Sequence, residues 1–194
     1  MAINSLAVKE AWKRILGWFE QNAPASEKVY RDAIPGPATP EEISECEKKL
    51  GLTFPSSLIE SYLLFNGHQY YPVFDCGAFM STAEVTDKTL MWRRNAKEYG
   101  SDPSTINCSD AIRRTLWNKG WIPFIDNGSS DHCCIDLNPT KAGVVGQVFR
   151  FSHEQGPKEV LANSFEEFLT VHAYDLEAGK YRWSDADTQI VRNN

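Results

Sequence analysis

The chain has 194 residues and a formal net charge of −6, and 42% of its residues are apolar and 12% aromatic. This length and apolar content suffice for one packed domain, and the acidic balance argues against a sequence-independent nucleic-acid binder, which needs a basic surface. No apolar run is long enough to span a bilayer, and the first residues lack the order of a secretory signal. Five cysteines, two of them adjacent, do not suggest a disulfide framework. We therefore expect a cytoplasmic protein that binds neither nucleic acid nor membrane.

Three helices are predicted in the first third of the chain. Apolar residues recur with helical spacing from about residue 6 to residue 21. The second helix begins at Thr39, where Glu42 can complete a capping box, and ends at Gly51, a residue that favours the left-handed conformation of a helix end. A third helical pattern occupies residues 54–67.

The middle of the chain mixes strand and helix signals. Residues 69–80 are rich in strand-forming side chains, but Pro72 predicts an edge strand or a broken one. Residues 82–99 are predicted to form a helix with Thr82 as its cap, and residues 110–118 a further short helix.

A β-hairpin is predicted at residues 121–139, where two apolar strands flank a turn of Asp, Asn, Gly and Ser. Strands at 144–152 and 160–163 and a closing helix follow, and residues 182–194 are predicted to be a polar tail. Consecutive strands with short links favour an α+β fold, with a single mostly antiparallel sheet and helices packed on one face. We assign residues 1–181 to this one domain.

One row of side chains on the second hairpin strand could carry chemistry. His132, Cys134 and Asp136 alternate along the strand and therefore share a face, where they could bind zinc or activate a thiol. Side chains in a row make a poor tetrahedral cage, however, and adjacent cysteines in an apolar strand are usually small buried hydrophobic groups. We therefore predict no metal, no cofactor and no catalysis here.

Several acidic and aromatic side chains lie in or near the hairpin. The carboxylates could act as acid and base, satisfy local backbone amides, or form a negative rim for a basic partner. The aromatic residues Trp117, Trp121, Tyr70 and Tyr71 could anchor an interface or fill the core. The predicted partner-binding set consists of Asp75, Trp121, Asp126, Asn127, Asp131, His132 and Asp136.

Seven short segments occur in an order that resembles the SUKH superfamily, in the branch of the fungal cell-wall assembly and glucan-synthase regulator. They comprise residues 39–43, 50–55, 62–67, 121–128, 134–139, 143–148 and 164–169. The resemblance implies an α+β fold with one antiparallel sheet backed by helices, and no known catalysis. Residues from about 86 to 118 match no motif of the family, and we regard residues from about 82 to 118 as a variable helical insert in which partner choice could reside.

The resemblance also implies what the chain does. Many bacterial members resemble cytoplasmic immunity proteins that neutralise polymorphic toxins, often nucleases or deaminases, whereas fungal members resemble scaffolds that regulate cell-wall synthesis. With the acidic balance, this predicts a non-enzymatic immunity protein that binds a basic toxin domain. The alternative is a scaffold or regulator of cell-wall glucan synthesis, which predicts many weak partners.

Overall fold

The computed structural model describes residues 5–23, 34–68, 72–100, 102–186 and 189–193. Within these ranges it has five helices: α1 (Ser5–Asn22), α2 (Pro40–Leu50), α3 (Ser56–Tyr62), α4 (Thr82–Tyr99) and α5 (Phe165–Glu177). Seven strands accompany them: β1 (Ala78–Phe79), β2 (Trp121–Asp126), β3 (His132–Asp136), β4 (Gln147–Ser152), β5 (Gly156–Ala162), β6 (Tyr181–Ser184) and β7 (Gln189–Arg192). None of the described helices is both long and apolar enough to cross a membrane. Tyr70 and Tyr71 lie outside the described residues.

Strands β1 to β5 form one antiparallel sheet in chain order, with the β2–β3 hairpin at its centre. The predicted hairpin and the α+β class are therefore confirmed. Alternation along β3 divides its side chains between the two faces of the sheet. Cys133 and Ile135 join the larger core, whereas Cys134 joins a smaller aromatic core on the opposite face.

Helices α1 and α5 pack against each other and cover one face of the sheet. Trp12 of α1 is 1% exposed, and its ring centroid lies 4.8 Å from that of Phe65 and 5.5 Å from that of Phe79. Its indole N–H donates to Ser61 Oγ at 2.8 Å, so its one polar group is satisfied inside the core. Burying such a side chain contributes about 3 kcal/mol, which makes α1 an integral part of the domain.

The opposite face of the sheet is covered by residues 82–118, the segment predicted to be an insert. Trp92 of α4 and Trp117 stack with their ring centroids 5.6 Å apart. Both rings meet Phe151 of β4 edge-on, at 4.8 Å and 5.0 Å. The insert therefore closes a second aromatic core, so both faces of the central strands are buried.

The predicted cap and end of α2 are both confirmed, and the cap of α4 lies one residue before the predicted position. Thr39 Oγ1 accepts from the backbone N–H of Glu42 at 3.1 Å, and Gly51 adopts the left-handed conformation with φ 64°. The cap of α4 is Ser81 rather than Thr82, because Ser81 Oγ accepts from the backbone of Glu84.

The strand predicted from residue 69 to residue 80 is a broken edge strand, as Pro72 indicated: residues 72–77 make a turn, and only β1 at the edge of the sheet is extended. Two other predicted segments differ from the structure. Residues 110–118 are irregular rather than helical, since Ile112 and Trp117 pack onto the sheet. The predicted polar tail contains the β6–β7 hairpin, which is anchored to the larger core by Tyr181 and Ile190.

Candidate functional site

A cleft of about 430 Å³ opens beside β1, between the first turns of α4 and the turn that joins β2 to β3. The charged groups among its described lining are three carboxylates and one ammonium, those of Asp75, Glu84, Asp126 and Lys88. The cleft also contains Asn127, so it gathers three of the residues predicted to bind a partner. We take it as the candidate functional site.

Asp126 is the last residue of β2, and its carboxylate interacts with groups on both sides of the cleft. Its Oδ1 accepts from the backbone N–H of Gly128 at 2.6 Å, the short-range bond that favours Asp in a turn. Its Oδ2 lies 2.7 Å from Nζ of Lys88 on α4, with the two side chains 15% and 31% exposed. This ion pair joins the insert helix to the hairpin and uses the one lysine in the described lining of the cleft.

The turn after Asp126 is held by its own side chains. Asn127 Oδ1 accepts from the backbone N–H groups of Ser129 and Asp131, at 2.8 Å and 3.1 Å. The Asp131 carboxylate in turn accepts from the backbone and the ring of His153, at 2.9 Å and 2.8 Å. Burial acts to raise the pKa of Asp131, but the bonds from His153 outweigh it and leave that pKa lowered. The turn is therefore held in place, with Asn127 in the lining of the cleft and the ionised Asp131 outside that lining.

Asp75 stands on the opposite side of the cleft, in the turn before β1, and its side chain is exposed. Its Oδ2 accepts a long bond of 3.4 Å from the hydroxyl of Tyr181, and no other described residue donates to it. Burial, together with the nearby Asp75 charge, raises the pKa of Tyr181 to about 12, so this hydroxyl stays a neutral donor. Gly77 allows the turn to press against β2, because a Cβ there would lie 2.2 Å from the Asp126 carbonyl oxygen.

His132 lies inside the second aromatic core rather than in the cleft. Its ring is 1% exposed, and Nε2 accepts from the indole N–H of Trp92 at 2.9 Å. Nδ1 therefore carries the proton and donates to the Ile125 carbonyl at 3.3 Å. Burial lowers the pKa of His132 to about 4, so the ring is neutral and serves as a hydrogen-bonded core group.

Trp121 and Asp136 are also interior, each 0% exposed. Trp121 packs against Phe149 with centroids 4.8 Å apart. The Asp136 carboxylate accepts from the Asn138 backbone at 2.9 Å and from Gln147 Nε2 at 3.2 Å. Burial raises the pKa of Asp136, although these hydrogen bonds oppose the shift. A partner could contact Trp121, His132 and Asp136 directly only if the covering insert moved away.

His132, Cys134 and Asp136 share a face as predicted, but the groups around them are aromatic rings, the Gln147 carboxamide and, 3.8 Å from His132 Nδ1, the Asp126 carboxylate. In the part of the chain that the structure describes, no three His, Cys, Asp or Glu side chains are grouped so as to hold a metal ion. In the cleft, Glu84 Oε2 is engaged by the backbone and hydroxyl of Ser81. The polar groups of both regions thus maintain the fold, and the cleft offers charge and shape for recognition.

Sequence reasoning missed two contributors to the cleft, Lys88 and Glu84. Lys88 is 38 positions from Asp126 in the sequence, so no local pattern pairs them. Glu84 did carry a signal, since Ser81 and Glu84 have the spacing of a capping box.

Comparisons with known proteins confirm the predicted resemblance. Residues 37–171 match the SMI1/KNR4 family (SUKH-1). The cell wall biosynthesis/cell cycle regulator smi1 of Schizosaccharomyces pombe is 28% identical, over 94% of this chain and 39% of its own length. The cell wall assembly regulator SMI1 of Saccharomyces cerevisiae is 24% identical, over 88% of this chain and 41% of its own length.

A third relative, the glucan synthesis regulatory protein of Neurospora crassa, is 23% identical over 95% of this chain and 41% of its own length. The chain thus spans about two fifths of the length of these relatives. Because the family match covers well over half of its residues, the chain belongs to the SMI1/KNR4 (SUKH-1) family.

Proposed function

We propose that this chain is a protein-binding regulatory domain that acts in cell-wall glucan synthesis and engages a basic segment of its partner in the cleft. The observation that carries this proposal is its similarity, along nearly its whole length, to fungal proteins named as regulators of cell-wall assembly and glucan synthesis. These relatives are named regulators rather than enzymes.

The electrostatics of the cleft support a basic partner segment. Lys88 is already paired with Asp126, whereas Asp75 is exposed and, among the described residues, has one weak hydrogen bond. The cleft therefore keeps excess negative charge within a protein whose net charge is −6. Lysine or arginine side chains entering it would gain favourable Coulomb energy, and encounter would be accelerated.

The rigidity of the cleft walls supports the same proposal. Asn127, which lines the cleft, is held by hydrogen bonds within its turn, and the end of that turn at Asp131 is held by His153, which follows β4. The opposite wall is held by the close approach of Gly77 to β2. Since little ordering is required on binding, more of the interaction free energy appears as affinity.

A domain replacement in fission yeast tests the proposal. The aligned part of the S. pombe regulator is exchanged for this chain in cells that lack the native protein, and wall glucan is measured. We expect the chimera to restore glucan content, whereas a chimera lacking any inserted domain does not. A chimera that is expressed at the native level and leaves the wall defect unchanged would refute the proposal.

The immunity interpretation uses the same acidic cleft but assigns it a different partner, a basic toxin domain. None of the three relatives described above carries such a role in its name, and we therefore rank it second. Protection of bacteria that express a cognate toxin, together with failure of the yeast chimera, would reverse this order.

A further inference from the structure

Two cysteine thiols from distant parts of the chain meet beneath the cleft. Cys76 lies in the turn before β1, and Cys133 lies on the central strand β3. Their Sγ atoms are 2.7 Å apart, well inside the roughly 3.5–4.0 Å at which non-bonded carbon atoms pack. A covalent S–S bond measures about 2.05 Å, so a small movement would bring the sulfurs to bonding distance.

We propose that Cys76 and Cys133 form a reversible disulfide when the folded protein meets a peroxide, and that they are a redox modification site of this domain. The distance between the sulfurs supports this, and so does access, because Cys76 lines the cleft and is 8% exposed whereas Cys133 is 0% exposed. Cys76 is therefore the thiol that an oxidant reaches first.

A guanidinium lies across the sheet from the pair. Arg150 of β4 is the cross-strand partner of Cys133, so their side chains share a face. Burial acts to lower the pKa of Arg150, but the neighbouring Cys133, Cys76 and Asp75, together with the Glu159 carboxylate 3.1 Å from its Nε, outweigh burial and leave that pKa raised. A nearby cation favours a thiolate and thus oxidation.

The contact with Cys133 and burial act in the opposite direction and raise the pKa of Cys76. We therefore expect oxidation that is slow at neutral pH and faster as the pH rises. Once formed, the bond would be shielded from reductants on every side except that of the cleft.

The other three cysteines are placed differently. Cys134 points to the opposite face of the sheet, in the aromatic core. Cys46 makes sulfur contacts with Thr82 and Thr86, and Cys108 approaches the Ile112 carbonyl at 3.8 Å. The structure therefore selects one pair out of the five thiols.

The chemistry balances with hydrogen peroxide as the oxidant. The Cys76 thiolate attacks one peroxide oxygen, which breaks the O–O bond, gives a sulfenic acid and releases hydroxide. Cys133 then attacks the sulfenic sulfur, the S–S bond forms, and the sulfenic oxygen leaves as a second hydroxide. Each hydroxide takes up a proton to become water, so two thiols lose two electrons and peroxide is reduced to two molecules of water.

Closing this bond would link residues 57 positions apart and restrict the unfolded chain. We expect the oxidised protein to melt at a temperature roughly 5–15 °C higher than the reduced protein, given the size of the chain. Reduction with dithiothreitol should reverse the shift.

The test is peptide mapping of the folded, full-length chain after exposure to hydrogen peroxide. Free thiols are alkylated, the protein is digested without reduction, and cross-linked peptides are identified by mass spectrometry. We expect one peptide pair that joins Cys76 to Cys133 and disappears on reduction. Cys108→Ser should retain this pair and the melting shift, whereas Cys76→Ser should lose both.

Two outcomes would overturn the proposal. One is that both thiols remain fully alkylatable after peroxide treatment while the circular dichroism spectrum stays native. The other is that a different cysteine pair accounts for the cross-link. Because the wild-type map alone decides between these results, the test does not depend on the folding of any variant.

Discussion

Replacing Gly77 with alanine probes how the cleft is built. Gly77 has φ 127°, outside the range of ordinary L residues, and an added Cβ would lie 2.2 Å from the Asp126 carbonyl oxygen and 2.5 Å from its carbon. Both contacts are with backbone atoms, which cannot rotate away. The turn would therefore have to separate from β2.

The cost has two parts. Forcing a residue with a Cβ into a left-handed conformation costs about 1–2 kcal/mol. Separating β1 from β2 would also weaken the pairing of Phe79 with Ile125 and the hydrogen bond from Met80 N to Phe124 O at 2.9 Å. We expect Gly77→Ala to lower the free energy of unfolding by about 3–5 kcal/mol in total.

Gly128 provides a matched control in the β2–β3 turn on the other side of the cleft. It also has a positive φ, 82°, but an added Cβ would meet nothing within 4 Å. Gly128→Ala should therefore cost only the conformational strain, about 1 kcal/mol. Urea unfolding followed by tryptophan fluorescence gives both values. If the two variants were equally stable within about 0.5 kcal/mol, the close approach of the turn to β2 would not exist as described.

Three further predictions concern the contacts between the insert and the hairpin. The pKa of His132 falls from 6.5 to about 4 on folding, so the unfolded chain takes up a proton at a higher pH than the folded chain does. Between pH 7.5 and pH 4, the free energy of unfolding of the wild type should therefore fall by about 3 kcal/mol relative to that of His132→Gln. Parallel curves of stability against pH for the two proteins would contradict this. Trp92→Phe removes the N–H that His132 Nε2 accepts, and should cost about 1–2 kcal/mol in chemical denaturation at pH 7.5, whereas an unchanged midpoint would argue against this bond. Lys88→Met removes the 2.7 Å ion pair with Asp126 and should lower the free energy of unfolding by about 1 kcal/mol in low salt and by less in high salt. A loss of stability that does not depend on salt would indicate that Lys88 contributes through packing instead.

Sequence reasoning succeeded where a signal is local. The cap at Thr39 and the helix end at Gly51 depend on side-chain and backbone preferences within a few residues, and both are confirmed. The central hairpin was likewise predicted from local features, namely two apolar strands and a turn with Asn127 and Gly128 at its tip, and it is confirmed.

Sequence reasoning failed where burial depends on a distant segment. Trp121 and His132 were included in the predicted partner-binding set, with core packing left open for Trp121, and the structure buries both beneath Trp92 and Trp117 of the insert. The contact of Trp121 and His132 with a partner stays a prediction. No sequence motif predicts that Trp92 and Trp117 are buried, because aromatic residues in such a segment have the same sequence pattern whether they are buried or exposed. The β6–β7 hairpin was missed for a similar reason, since its strands are short and gain stability only by packing Tyr181 and Ile190 onto the larger core.

Wall glucan content in the fission-yeast chimera tests the proposal that the domain acts in cell-wall regulation through its acidic cleft. Asp75→Lys reverses an exposed charge in the cleft. Glu98→Lys makes the same change on α4, 14 residues beyond Glu84 and thus about 20 Å along the helix. With both variants shown to be folded, we predict that the wild-type and Glu98→Lys chimeras restore glucan content and that Asp75→Lys does not. Full restoration of glucan content by the Asp75→Lys chimera would show that the acidic cleft is not needed for this function.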